Sequence, residues 1–396
     1  MFDYNRAIAP KVHQVKPSGI RKYFGIAETM PHAISLGVGE PDFITPRHIM
    51  QAGIDSLLQG KTQYTANAGL MELRREISAY LERRFSLPYH PEDQVLTTVG
   101  GSEAIDMCIR AFLAPGDECL IPEPSFVCYA PLASVAGGVP VVIPTYKEDS
   151  FKLTPQALKA AITPKTKLLI LSYPNNPTGA VMTRSDLEAI AEVLEGTDIL
   201  VLSDEIYAEL TYGFEHTSIA SLPGMRERTI LVSGFSKAFA MTGWRLGYCC
   251  GPTELITYVT RLHQYALMCA STPAQYAGIE AMRHGQDDVL RMREEYDQRR
   301  RYLHQRLLEL GFDCFEPEGA FYIFPDVSMY AKDGTDFTER LLAEEELAVV
   351  PGEAFGESGK NHVRISYAYS MEQLEEAMRR IERFVNRAIA QNKKAI

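Results

Sequence analysis

The chain has 396 residues, 46% of them hydrophobic, enough to bury one large and one smaller core, which excludes a disordered tail. Lys and Arg number 40 against 51 Asp and Glu, giving a formal charge of -11 with the two signs interspersed; a nucleic-acid partner is excluded. The seven cysteines are odd in number and lack CxxC or zinc-finger spacing, so they read as reduced, buried thiols with no structural metal.

The N-terminal stretch has no signal-peptide core, and no apolar run is long enough to cross a bilayer, so a soluble cytoplasmic protein is expected. Residues 1–45 read as an N-terminal arm and part of a smaller domain, without room for a helix-turn-helix regulatory module. Within it, GVGEPD lacks the third glycine and the strand-to-helix setting of a dinucleotide fingerprint, so a nicotinamide cofactor is rejected. Residues 46–290 read as a large domain. Between about 94 and 250 the apolar runs QVLTTV, ECLIP, VPVVIP, KLLILSY, DILVLSD, TILVSG and RLGYCCG alternate with helical patterns such as SDLEAIAEVLEG. That rhythm predicts an α/β fold: a mostly parallel seven-stranded sheet covered by helices. Ligands of such sheets gather at the carboxyl ends of the strands, where VGGSEA, SYPNNPTG, LSDEIY and SGFSK lie. Residues 291–396 read as a smaller α+β domain. The charged helix DDVLRMREEYDQRRRYLHQRLLELG leads into it, CFEPEGAFYIFP, LAVVPG and HVRISYA are its candidate strands, and the amphipathic MEQLEEAMRRIERFVNRAIA closes it.

Five places carry chemistry. In SGFSKAFAMTGWRLG, Lys237 follows a strand and Ser236, with Arg245 eight positions later. Burial beside other cations lowers a lysine pKa and frees the neutral amine that forms a Schiff base. Asp204 ends the apolar run DILVLSD, where a buried carboxylate needs a cationic partner such as a protonated ring nitrogen; Tyr207 follows three residues later. In SYPNNPTG two prolines set a tight turn from which Asn175 and Asn176 are expected to project amides into one cleft. VGGSEAI opens a helix, and its backbone N–H groups at Gly101, Ser102 and Glu103 suit a phosphate. Arg364 in HVRISYA supplies a planar guanidinium suited to an α-carboxylate. Each residue alone has a bland reading as a surface charge, a helix cap or a turn; the company they keep is what points to function.

Together these motifs resemble the class I and II aminotransferases, the fold-type I pyridoxal-phosphate family, over nearly the whole chain. The similarity runs from SGIRKYF and SLGVGEPDF through QYTANAGLMELR, GGSEA, PEPSFVCY, YPNNPTG, SDEIYAEL and SGFSKAFAMTGWRLG to GAFYIFP, VVPG and HVRISYA. By that resemblance Lys237 forms a Schiff base with pyridoxal 5'-phosphate, Asp204 pairs with its pyridine nitrogen, Tyr207 and Asn176 bond its O3', and Phe126 stacks on its ring. Ser236, Arg245 and the loop Gly101–Glu103 hold the phosphate, while Gly37, Asn176 and Arg364 bind the substrate. Tyr64 is similar to the tyrosine that reaches the neighbouring subunit's phosphate, which implies a homodimer with shared sites. Many relatives carry a hydroxyl residue three before the lysine; here Gly234 stands there and Ser233 one place earlier. No arginine is found to match the distal-carboxylate arginine of animal-type aspartate aminotransferases. The resemblance implies transfer of an amino group from an aromatic amino acid or aspartate to a 2-oxo acid such as 2-oxoglutarate, by a ping-pong mechanism. A C–S β-lyase of the same fold is the alternative, and a non-catalytic regulatory protein a more remote one.

Overall fold

The computed structural model describes residues 2–27 and 30–394. Its centre is a sheet of β1 (Val95–Thr98), β2 (Glu118–Glu123), β3 (Val139–Pro144), β4 (Thr166–Ser172), β5 (Leu200–Asp204), β6 (Thr229–Gly234) and β7 (Gly247–Cys250). The spatial order is β1-β7-β6-β5-β4-β2-β3. Neighbours run parallel except around β7, which is antiparallel to both β1 and β6. Each of the seven apolar runs in the sequence forms one of these strands, and the fold is the expected α/β class. The runs are continuous rather than alternating because helices cover both faces, burying every residue of β1, β6 and β7. VPVVIP lies at the edge as β3, where its prolines remove no ladder donor that a second neighbour needs.

The covering helices include α1 (Arg47–Leu58), α2 (Gly101–Phe112), α3 (Arg184–Leu194), α4 (Thr253–Ala266) and α5 (Thr272–His284). A capping box between Thr183 and Asp186 starts α3. The charged segment after residue 285 is the helix α6 (Gln286–Glu309), which buries Val289, Met292, Tyr296, Leu303 and Leu307 along one stripe. Beyond it, β8 (Tyr322–Ile323), β9 (Val350–Pro351) and β10 (Val363–Ser366) form an antiparallel sheet in the order β9-β10-β8, flanked by α7 (Gly334–Glu345) and α8 (Met371–Lys394).

Two candidate strands come out shorter than their apolar patterns. In CFEPEGAFYIFP the prolines lack N–H donors and Ala320 has a left-handed φ of 56°, so Tyr322–Ile323 alone joins the sheet. The backbone N–H groups of Glu318, Gly319 and Ala320 instead bond to the carbonyls of Gly179 and Leu210, fastening this segment to loops of the large sheet. LAVVPG divides its pairing: Leu347–Ala348 pairs in parallel with Ile34–Ser35, while Val350–Pro351 pairs with β10. The N-terminal segment is thereby stitched to the C-terminal unit. No helix among the described residues is long and apolar enough to cross a membrane.

His48, near the start of α1, clasps two other helices: Nδ1 lies 2.8 Å from Glu280 Oε1 on α5 and Nε2 3.0 Å from Asp288 Oδ2 on α6. Burial opposes its protonation, but the hydrogen bonds to Asp288 and Glu280 outweigh that and raise its pKa above the usual 6.5. The clasp is therefore fully formed below pH 6.5 and is lost as pH rises through the raised value. Because the ring is partly solvated, the expected effect is small. His48→Asn should lower Tm by about 1–2 °C at pH 6 and leave it unchanged at pH 9; an equal loss at both values would refute the clasp.

Candidate active site

Ser172, at the end of β4, faces Asp204, at the end of β5, in strand register, and Gly234 closes β6 opposite Gly247 of β7. Those level strand ends floor a cleft of about 1020 Å³, including its solvent-open part, and β10 walls it from the C-terminal side. Lys237, Asp204, Tyr207, Asn176, Arg364, Arg245, Ser236, Phe126, Gly101 and Ser102 all line it. Sequence segments far apart along the chain meet here because strand ends and helix starts of this fold point the same way.

Lys237 stands three residues past β6 and donates from Nζ to the carbonyl of Gly39. Burial first, and then the nearby Arg364 and Arg245 guanidiniums, lower its pKa from 10.5 to about 8, against opposing pulls from Glu40 and Asp204. The lowered value makes the neutral, nucleophilic amine accessible near neutral pH. Arg245 has a left-handed φ of 52°, and its Nη1 donates to the carbonyl of Thr242 at 3.0 Å. It has no acid partner among the described residues, so its charge is available to an anion at the start of α2. The approach there is tight: a Cβ on Gly100 would sit 2.6 Å from Arg245 Nη2, and one on Gly247 would sit 2.6 Å from the carbonyl carbon of Gly100.

Asp204 is 5% exposed and has no cationic partner within ion-pair distance among the described residues. Burial raises its pKa to about 6, although Tyr129 donates its hydroxyl to Oδ2 at 2.7 Å and the Ile206 N–H to Oδ1 at 3.2 Å, both of which favour the ionised form. The Tyr129 hydroxyl also lies 2.9 Å from Ser172 Oγ. Tyr207 is buried, with its hydroxyl 2.8 Å from that of Tyr322. Arg364 is 1% exposed; its Nη1 donates to Asn176 Oδ1 at 2.8 Å and its Nη2 to the Gly37 carbonyl. The Tyr322 ring lies 4.3 Å from the guanidinium carbon and the Phe355 ring 4.7 Å. Arg364 Nε has no partner, and no carboxylate pairs with the group among the described residues. A buried guanidinium left in that condition is a receptor for an anion brought by a ligand.

Some expected positions fall elsewhere. Asn175 does not line the cleft: Oδ1 accepts from the Thr178 N–H and hydroxyl while Nδ2 donates to the Ser172 carbonyl, so both ends of its amide are engaged by the turn. Glu103 turns its carboxylate away from the cleft, towards the Val99 N–H and His263. Gly37 takes part through its carbonyl and does not line the cavity. Tyr64 lies outside the cleft and is 77% exposed. Ser233 donates to the Glu205 carbonyl, so of the two serines Ser236 is the one in the cleft. Position 234 admits no hydroxyl residue, because a Cβ there would come 2.9 Å from Gly247 Cα. Sequence reasoning passed over Tyr129, Tyr322 and the Gly39 carbonyl. Tyr129 stood in PSFVCY three places after Phe126, and Tyr322 in GAFYIFP, but nothing in either string marks which tyrosine faces a ligand.

The chain matches the model of the family described as aminotransferase class I and II over residues 31–381. A Bacillus subtilis (strain 168) protein named putative aminotransferase YugH is 51% identical over 376 residues, 95% of this chain and 97% of its own length. An aspartate aminotransferase of Pyrococcus abyssi (strain GE5 / Orsay) is 46% identical over 380 residues, 95% of this chain and 98% of that protein. A crystal structure of an aromatic aminotransferase from Pyrococcus horikoshii OT3 superposes with a TM-score of 0.88 at 44% identity, covering 94% of this chain and all of the other. With the family's match spanning most of the chain and its nucleophilic lysine, buried carboxylate and anion-seeking arginines gathered in one cleft, this protein is a class I and II aminotransferase.

Proposed function

We propose that this aminotransferase works with pyridoxal 5'-phosphate bound in the cleft, taking its amino group from an aromatic amino acid or aspartate and giving it to a 2-oxo acid such as 2-oxoglutarate. The observation that carries the reading is a pair of buried charges without counter-charges among the described residues, Asp204 without a cation and Arg364 without an anion, with the exposed Arg245 guanidinium at the mouth of the same cleft. A protonated pyridine nitrogen, a phosphate and a substrate carboxylate complement these three groups.

Lys237 is the amine that would attach to the cofactor, Asp204 would pair with its ring nitrogen, and Phe126 would lie against the ring. Tyr207 and Asn176 would bond its O3', while Ser236, Arg245 and the N–H groups of Gly101, Ser102 and Glu103 would hold the phosphate. When bound, the cofactor supplies an electron sink for the bonds at the substrate's α-carbon. Arg364, kept in place by Asn176 and the Gly37 carbonyl, grips the α-carboxylate and orients the α-C–H bond. Lys237 Nζ would take the substrate's α-proton and hand it on, a task suited to a pKa of about 8. The donor would leave as an oxo acid, its oxygen supplied by water and its amino group retained for the acceptor, in ping-pong order.

The walls favour an aromatic donor over aspartate. Ile20 and Val38 present apolar surface, and beyond Lys237, Arg245 and Arg364 no lysine or arginine lines the cleft among the described residues. Relatives named for both substrates are consistent with either choice. A homodimer is supported by Tyr64, whose segment is tied to the next exposed stretch by hydrogen bonds from Asn67 to the Met268 carbonyl and from Thr272 to the Gln63 carbonyl. Tyr265, Leu267 and Met268 are also exposed there, forming an apolar surface suited to a second copy whose phosphate Tyr64 reaches.

Lys237→Ala is expected to abolish the visible band of the lysine-bound cofactor and to slow turnover by roughly 10⁴-fold or more; an active variant retaining the band would remove the assignment. Arg364→Lys should lower kcat/KM roughly 10- to 100-fold, mainly through KM for the amino acid, because a single ammonium does not reproduce the fork. An unchanged KM would place the carboxylate elsewhere. Tyr129→Phe removes a hydrogen bond that favours ionised Asp204, so its pKa should rise above about 6. Cofactor affinity should then weaken roughly tenfold at pH 6, with a smaller loss at pH 8, and a pH-independent loss would assign Tyr129 a packing role.

A further inference from the structure

We propose that Glu103 and His263 form a positioning pair that fixes the Val99–Gly100–Gly101 turn against the cofactor's phosphate; this rests on the cofactor reading above. Glu103 is the third residue of α2, yet its side chain folds back out of the cleft. One carboxylate oxygen accepts the backbone N–H of Val99 at 2.5 Å, just before the turn, and the other lies 2.6 Å from His263 Nδ1. The carboxylate can only accept, so Nδ1 carries the proton. The His263 side chain is fully buried and that of Glu103 is 7% exposed. Since His263 Nε2 has no hydrogen-bond partner, the imidazole's polar contact within the described residues is the one to Glu103.

A carboxylate near a helix N-terminus is favourable by itself, but beside a bound phosphate it competes for the same positive end. Turning it away from the cleft and engaging it with two donors moves its charge behind the turn while keeping its grip on the backbone. The turn has little freedom. Gly100 has φ 84°, its Cα face abuts Arg245 Nη2, and Gly247 presses on Gly100 C and Gly101 N, where an added Cβ would sit 2.6 and 2.7 Å away. With Gly247 packed against Gly100 and Gly101, a shift at Val99 is passed to the first N–H groups of α2. The Glu103 carboxylate and the His263 ring do not line the cleft; they act through that turn and the backbone it carries.

Equilibrium titration of the apo-protein with pyridoxal 5'-phosphate and with pyridoxal, which lacks the phosphate, tests the pair. His263→Leu should raise Kd for pyridoxal 5'-phosphate about tenfold, leave Kd for pyridoxal unchanged, and move the ³¹P resonance of the bound phosphate. His263→Asn, which keeps a donor near the Nδ1 position, should restore most of the affinity. If His263→Leu does not fold, His263→Asn and Glu103→Gln carry the test, with Glu103→Gln showing the same phosphate-selective loss. Equal weakening for both ligands would make the pair a general packing element, and unchanged affinity for pyridoxal 5'-phosphate would also overturn the inference. Wild-type protein that fails to bind pyridoxal 5'-phosphate at all would instead defeat the cofactor reading, and the pair's role with it.

Discussion

The site is organised around a guanidinium that the fold buries with no counter-charge among the described residues. Arg364 lies on β10 of the C-terminal unit, bonds to Asn176 after β4 of the large sheet, and bonds to the carbonyl of Gly37 in the N-terminal segment. Three stretches of chain thus converge on one cation. Leaving such a group without an anion is unfavourable in a folded protein, and the surroundings offset this only partly, through carbonyl dipoles and the rings of Tyr322 and Phe355. An anionic ligand supplies what is missing, so affinity for a carboxylate is built into the resting architecture.

The same low-dielectric setting acts on charges of both signs. Burial lowers Lys237 to about 8 and raises Asp204 to about 6, drawing a base and an acid towards each other across neutral pH. Between those values Asp204 is mostly ionised and Lys237 still has an accessible neutral fraction. The arginines make this asymmetric, because they push further on the lysine. Tyr129 and the Ile206 N–H do the opposite for Asp204, keeping it ionisable where desolvation alone would neutralise it.

What the sequence disclosed follows physical lines. Each strand of the large sheet was legible because burial on both faces leaves an unbroken apolar run, as in TILVSG and DILVLSD. The short strands of the C-terminal unit were overextended, since CFEPEGAFYIFP is apolar for packing reasons while its backbone bonds go to Gly179 and Leu210. Lys237, Asp204 and Arg364 could be read because isolated charges in apolar strings need a purpose. Asn175 misled because a turn amide and a ligand amide look identical in one dimension. Tyr129 and Tyr322 stayed hidden for a similar reason: with 20 tyrosines in the chain, orientation is a property of the fold and not of the string.

The stitching of the N-terminal segment to the C-terminal unit has a consequence for how the protein is made. Ile34–Ser35 pairs with Leu347–Ala348, Gly37 receives its bond from a residue 327 positions away, and the His32 carbonyl receives one from Arg380, 348 positions away. During synthesis these early residues emerge long before their partners exist, and must wait while the large sheet forms behind them. The carboxylate receptor accordingly depends on contacts of very long sequence separation. A chain lacking β10 would carry Lys237 and Asp204 but not Arg364, so the full site exists only once segments 327 positions apart have met.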